Sequence, residues 1–258
     1  MLKFRKYHKM VYSYYPFMFS LGFLGLFVSL LLYMNFGIFF CFFLCFVFVF
    51  YVSFLWLKDV FLEDVSGQYT VYDYRMFEQG FRLFLFSELV LFFSVFWAFL
   101  DSSLCPLFWV GGMWSPVGVL PPDYIGVNGT ASLFLMMNSQ ILKYSRRYLC
   151  LNVFYCEFFL LLSIFIGSGF LCFQLFEYGS SCFSMSDCVY GSIFYLGTGL
   201  HGFHVFVGVV FLVFNYFRIK LFNFNWYHIQ SYDMSIDYWR FLEWMWGIMF
   251  CLLYVWGS

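Results

Sequence analysis

Charge is what this chain most lacks. Asp, Glu, Lys and Arg make up only 10% of its 258 residues, against 64% hydrophobic, and the mean hydropathy is +0.83. A soluble domain of this length needs far more charge to cover its surface, so a water-soluble fold is excluded. A net charge of −1 leaves no basic footprint and excludes a nucleic-acid partner. The nine cysteines contain no Cys-x-x-Cys pair. Cys41, Cys45, Cys105, Cys150, Cys156, Cys172 and Cys251 are scattered in or beside apolar runs, where cysteine acts as a small hydrophobe. Cys182 and Cys188 bracket one short loop and are candidates for a disulfide. No repeat of 20–50 residues is visible, nor the internal two-fold similarity of many transporters. Alanine occurs only as Ala98 and Ala131, while Phe (43) and Tyr (21) are abundant. Phe, Tyr, Cys, Leu and Val share T-rich codons, a bias that suits an organellar genome.

What the chain has is long apolar runs. A membrane-spanning helix needs about 20 residues, and seven spans are predicted near 11–34, 36–57, 80–101, 127–143, 148–176, 188–217 and 237–256. The basic start, with Lys3, Arg5, Lys6 and Lys9, imitates a signal peptide. The apolar run then continues too far, with no small-residue cleavage site, so a retained first helix is expected. The tight connection after Met34 makes the first two spans a hairpin. Three regions are predicted: residues 1–57 with the first two helices, an inner-side loop over 58–79, and residues 80–258 with the remaining five.

The fourth span is diluted by Asn128, Thr130, Ser132, Asn138 and Ser139, and the basic residues test it. With seven spans, the N-terminal group, Lys58, Arg75 and Arg82, Lys143, Arg146 and Arg147, and Arg218, Lys220 and Arg240 all fall on one side. These are all 13 basic residues of the chain. Without the fourth span the pattern fails. By the positive-inside rule, that side, with the N-terminus, faces cytoplasm or matrix, and the C-terminus faces the opposite compartment.

Three interior residues could carry chemistry. Glu88 stands in the third run between Phe84 and Phe92, six residues after Arg82 and thirteen before Asp101. At about 1.5 Å per residue it lies roughly 9 Å from the inner marker. A lone carboxylate there is expensive, so it is expected to be protonated, hydrated or paired. His201 and His204, three apart in the sixth run, share a helix face, and His201 matches Glu88 in depth. A Glu–His proton relay and structural hydrogen bonding between helices both fit them. Metal or haem ligation needs further ligands, and the other histidines, His8 and His228, lie near the inner surface. No metal site is therefore expected. The inner rim carries Trp56, Lys58, Glu63, Arg82, Arg218, His228 and Arg240, an aromatic and basic mix suited to lipid headgroups. Ordinary interfacial anchoring is the plainer reading of most of them. Lys58 and Arg218 border apolar spans, where phosphate contact is expected.

Several stretches resemble subunit III of the haem–copper oxidases. Trp56-Leu57-Lys58-Asp59-Val60 is followed by Glu63. Gly80-Phe81-Arg82 leads into Ser87-Glu88 and Phe96-Trp97-Ala98-Phe99. Gly111-Gly112-Met113-Trp114-Ser115-Pro116 follows. Then come Glu177-Tyr178, Thr198-Gly199-Leu200-His201-Gly202-Phe203-His204, Tyr238-Trp239-Arg240-Phe241 with Glu243, and Trp256-Gly257-Ser258. These run in family order from about residue 56 to the end. The chain departs from the family pattern at Leu57, Lys58, Tyr69, Arg240 and Glu243, so altered headgroup contacts are expected near the first four.

The resemblance implies an all-α integral membrane protein, with a two-helix arm and a five-helix bundle forming a V-shaped, lipid-filled cleft. It implies a place in the mitochondrial inner membrane, with the N-terminus in the matrix and the C-terminus in the intermembrane space. It also implies packing against the catalytic subunit I and other oxidase subunits, bound phospholipids, and a role in stabilising the complex and supporting proton uptake. No catalytic residue or cofactor is implied in this chain, the haems and coppers belonging to partner subunits. Two other classes remain open at this point. A stand-alone proton-coupled transporter would use Glu88 with His201 and His204, and a haem-binding electron carrier would need histidines on two spans.

Overall fold

The computed structural model describes residues 12–106, 112, 114–116, 118–224 and 229–257. These fold into seven α-helices, with no strand among the described residues. The helices are α1 (Tyr15–Phe36), α2 (Phe39–Val65), α3 (Val71–Leu104), α4 (Val127–Tyr148), α5 (Val153–Ser180), α6 (Val189–Lys220) and α7 (Gln230–Met249), the last continued by a π-helical segment, Phe250–Trp256. The chain divides into two compact units, Met1–Phe77 and Glu78–Ser258.

In the first unit α1 and α2 form an antiparallel hairpin. Pro16 sits in the first turn of α1, where its missing N–H costs nothing. Gly37 ends the helix at φ 72° and donates its N–H to the Tyr33 carbonyl at 2.8 Å, a left-handed cap that glycine adopts without strain. Gly22 lets the pair close, since a Cβ there would come within 2.7 Å of Val49. The Tyr15 hydroxyl donates to Asp59 at 2.7 Å. Most other side chains of the hairpin point outward and are apolar, a surface suited to hydrocarbon rather than water.

Helix runs well beyond the apolar stretches that mark the membrane. Residues 58–79, expected as a loop, contain the end of α2 and the start of α3, with only 66–70 between them. Hydropathy locates the bilayer, but a helix continues as long as its polar residues are satisfied. Glu63 accepts from the Tyr69 hydroxyl at 2.9 Å, and Asp64 accepts from the Tyr74 hydroxyl at 2.8 Å. Asp73 accepts from the backbone N–H of Thr70 at 2.6 Å, the acidic half of a capping box. α3 is 34 residues long, or about 50 Å at 1.5 Å per residue.

The second unit packs α4 against α5 and α7, and α6 against α5 and α7. Five of the seven helices are apolar and long enough to cross a membrane by composition. α4 and α7 miss that mark because their polar residues face the bundle interior. On α4, Asn138 and Ser145 are fully buried. Asn138 donates to the Ser163 carbonyl at 3.2 Å, and the Ser145 and Tyr232 hydroxyls are 2.6 Å apart. The same inward polarity explains why α7 begins at Gln230 rather than near 237. Arg146 pairs with Asp233, and Arg218 donates to Ser231 at 2.6 Å. The core is largely aromatic, with Trp239, Trp246, Tyr190, Tyr232 and Tyr254 all essentially buried.

The candidate link between Cys182 and Cys188 is not formed, and both thiols are free. Cys188 is instead the N-cap of α6, its sulfur accepting the Gly191 N–H at 3.2 Å. The loop between the two cysteines is held by Asp187, which accepts from the Ser184 N–H at 2.7 Å and its hydroxyl at 2.6 Å. These bonds keep the exposed Asp187 carboxyl below its usual range. Their contribution is complete above the usual carboxylate range and is lost as pH falls through the lowered value of the folded state. Alkylation of the denatured chain without reductant should therefore modify both Cys182 and Cys188. A mass two hydrogens light, with both cysteines protected until reduction, would contradict free thiols.

Candidate functional site

The buried stripe of α3 is Phe92, Val95, Phe96, Phe99 and Ser103. Glu88 lies one helical turn before Phe92, at a spacing that keeps it on this stripe. It therefore turns toward α6, whose buried face includes His201, His204, Val205 and Gly208. Glu88 Oε2 and His204 Nε2 are 2.6 Å apart, with the two side chains 20% and 9% exposed. The Phe92 ring lies 5.3 Å from the imidazole. α6 thus supplies the partner for Glu88, as depth along the helices implies, but the partner is His204 and not His201. His201 is fully buried and turned the other way. Its Nε2 lies 3.3 Å from the Leu242 carbonyl on α7, and its ring is 5.1 Å from Trp246.

The hydrogen bonds fix the proton count of the Glu88–His204 pair. His204 Nδ1 lies 2.6 Å from the Leu200 carbonyl. A carbonyl only accepts, so Nδ1 carries a hydrogen. One further proton must then lie between Nε2 and the Glu88 carboxyl. On the carboxyl, the pair is a neutral acid facing a neutral imidazole. On the nitrogen, it is a carboxylate facing an imidazolium. The pair has no net charge either way, and moving the proton needs only a short displacement along the bond. A charged group within the membrane is costly, and this arrangement lets an acid occupy that depth without net charge.

The expected headgroup residues fall into different settings. Lys58 is exposed on α2. Trp56 is half-buried against Phe19, with ring centroids 6.0 Å apart. Glu63 and Tyr69 bond each other. Arg82 is exposed and pairs with Glu78 at 2.5 Å, while Arg240 is half-buried near Asp237 at 3.3 Å. Arg218 differs from expectation. It is only 4% exposed, its guanidinium lying over the Phe224 ring at 4.6 Å and donating to Ser231. Its guanidinium is held by Phe224 and Ser231 instead of being exposed at the rim. His228 lies outside the described residues.

Sequence reading passed over two interior acids, treating Glu177 and Glu243 only as family markers. Glu177 is buried and accepts from Gln174 and Tyr254. Glu243 stands beside Ser139 and Trp239. Each is an acid set in an apolar run, the same signal that singled out Glu88.

Seven helices, five of them long and apolar enough to cross a membrane, with an acid–imidazole pair inside the bundle, define a multi-pass membrane protein. The family model described as cytochrome c oxidase subunit III matches residues 5–258. A cytochrome c oxidase subunit 3 from Pylaiella littoralis is 34% identical over 212 residues, covering 81% of this chain and 78% of the relative. Proteins of the same name from Triticum aestivum and Yarrowia lipolytica are 34% and 33% identical, covering 82% and 79% of this chain and 81% and 77% of their own. The chain belongs to the cytochrome c oxidase subunit III family. It works within the oxidase complex, with other subunits.

Proposed function

We propose that this chain is a subunit of the mitochondrial inner-membrane oxidase that carries no redox centre itself. On this reading it packs on the catalytic subunit I, binds structural phospholipids, stabilises the complex and supports proton uptake during oxygen reduction, with its N-terminus in the matrix and its C-terminus in the intermembrane space. The haems and coppers belong to its partners. The Glu88–His204 pair carries the proton-uptake part of this reading. It holds one movable proton on a carboxyl still one-fifth exposed, so a proton can enter and leave without a lasting buried charge. The largely apolar outward surface supports lipid contact, and exposed Lys58, near the end of an apolar stretch, supports phosphate recognition.

The test is Glu88→Gln in the assembled oxidase, in sealed vesicles. Glutamine keeps the shape and a hydrogen bond but cannot titrate. Proton uptake or sustained turnover should fall while haem spectra stay unchanged. Normal uptake at every pH tested would leave Glu88 with a structural role only.

A further inference from the structure

A cavity of about 380 Å³ opens in the second unit, with Pro121, Asp123, Asn128, Glu177, Ser180 and Ser181 in its wall. Glu177, in the last turn of α5, is only 8% exposed. Its two oxygens are treated unequally. Oε2 accepts from Gln174 Nε2 and from the Tyr254 hydroxyl, each at 2.9 Å. Oε1 is buried and has no hydrogen-bond partner. Asn128 lies within hydrogen-bonding reach of the same carboxyl group, and its amide nitrogen gives one of its two hydrogens to the Asp123 carbonyl at 3.1 Å. A carboxylate oxygen taken out of water and left unpartnered is strongly unfavourable.

Among the described residues of the second unit, nothing at this end of the bundle supplies a positive charge. The lysines and arginines of the second unit lie toward the other end of the bundle, in the first half of α3, the last turns of α4 and α6, and the middle of α7. The second acid of the cavity, Asp123, is exposed. It uses Oδ1 to accept the Ile125 N–H at 3.0 Å. The serine hydroxyls donate to backbone carbonyls of α5, Ser180 to Glu177 at 3.1 Å and Ser181 to Tyr178 at 3.1 Å, which leaves their oxygens able to accept.

We propose that this cavity binds a hard divalent cation of the calcium type, with Glu177 Oε1 as the buried ligand and Asp123, the serine and Asn128 oxygens and water completing an all-oxygen shell. Calcium takes six to eight oxygens in flexible geometry, which suits a roomy, irregular site. Among the described residues no three His, Cys, Asp or Glu side chains form a metal cluster on their own. With two carboxylates the site belongs with weak extracellular modules, whose dissociation constants are about 10⁻⁴–10⁻³ M.

Equilibrium dialysis of radioactive calcium against the purified, chelator-stripped oxidase tests this. The wild-type complex should bind one more calcium in this range than the complex carrying Glu177→Gln. Asp123→Asn, on an exposed turn, should weaken the same site roughly tenfold, since affinity follows ligand charge. Equal calcium numbers in wild type and Glu177→Gln would overturn the assignment. If Glu177→Gln fails to assemble, Asp123→Asn decides alone, and an unchanged titration overturns it.

Discussion

In the assembled oxidase, Glu88→Gln should remove essentially all labelling of this chain by a hydrophobic carbodiimide. These reagents add to a carboxyl that carries its proton and is reached from lipid. Glu88 meets both conditions. It is flanked on α3 by exposed Phe84, Leu89 and Leu91, and the proton it shares with His204 can rest on its own oxygen. Glu177 is buried and faces the cavity walled by Asp123 and Asn128. His204→Leu gives the informative contrast. Without the imidazole there is no base to accept the proton, and a carboxylate alone at this depth is costly, so the carboxyl must stay neutral. Labelling should persist or rise while proton uptake falls. Labelling that survives Glu88→Gln, or is lost in His204→Leu, would show that the reactive carboxyl is elsewhere or that the pair is held as an ion pair. Mass spectrometry of the modified peptides distinguishes these outcomes.

The limits of sequence reading at this site are geometric. Counting residues from the charged helix ends gives depth, and depth was enough to bring α6 to Glu88. It could not separate His201 from His204, which lie three apart on one face. Which of them meets α3 and which meets α7 depends on the rotation of α6 about its axis. That rotation is set by close packing, with Gly208 against Leu242 and Trp239. Arg218 poses the same difficulty. A basic residue at the end of an apolar run reads as a lipid anchor, and nothing local announces that the chain turns back so that Phe224 and Ser231 enclose it.

The helices themselves were legible for two different reasons. α1, α2, α3, α5 and α6 are apolar enough to stand out. α4 and α7 are not, because Asn138, Ser145, Tyr232 and Ser235 face other helices rather than lipid. α4 was read as a diluted apolar run, and the one-sided distribution of basic residues, a signal that does not depend on its hydropathy, supported it independently. Helix ends were the least legible feature. The polar turns of α2 and α3 lie beyond the apolar stretch, and their stability rests on contacts such as Glu63 with Tyr69.

The packing around Trp239 should produce the largest stability change in the chain. Its indole is fully buried and lies in a slot made by two glycines on neighbouring helices. A Cβ built on Gly167 of α5 would stand 2.5 Å from Trp239 Cη2, and one on Gly208 of α6 would stand 3.2 Å from Cε3. Apolar transfer drives little association inside a bilayer, where lipid is as apolar as the core, so close packing holds the helices. Trp239→Ala leaves a large cavity, and losses of about 3–5 kcal/mol accompany such changes. The expected result is an oxidase that loses this chain during purification in detergent. Gly167→Ala forces the opposite fault, an overfilled slot costing about 1–3 kcal/mol. The decisive variant carries Trp239→Phe with Gly167→Ala, because the smaller ring withdraws from the point where the added methyl falls. Retention of the chain in the complex should be better in the double variant than in Gly167→Ala alone. Strictly additive losses would show that the two residues do not share this slot.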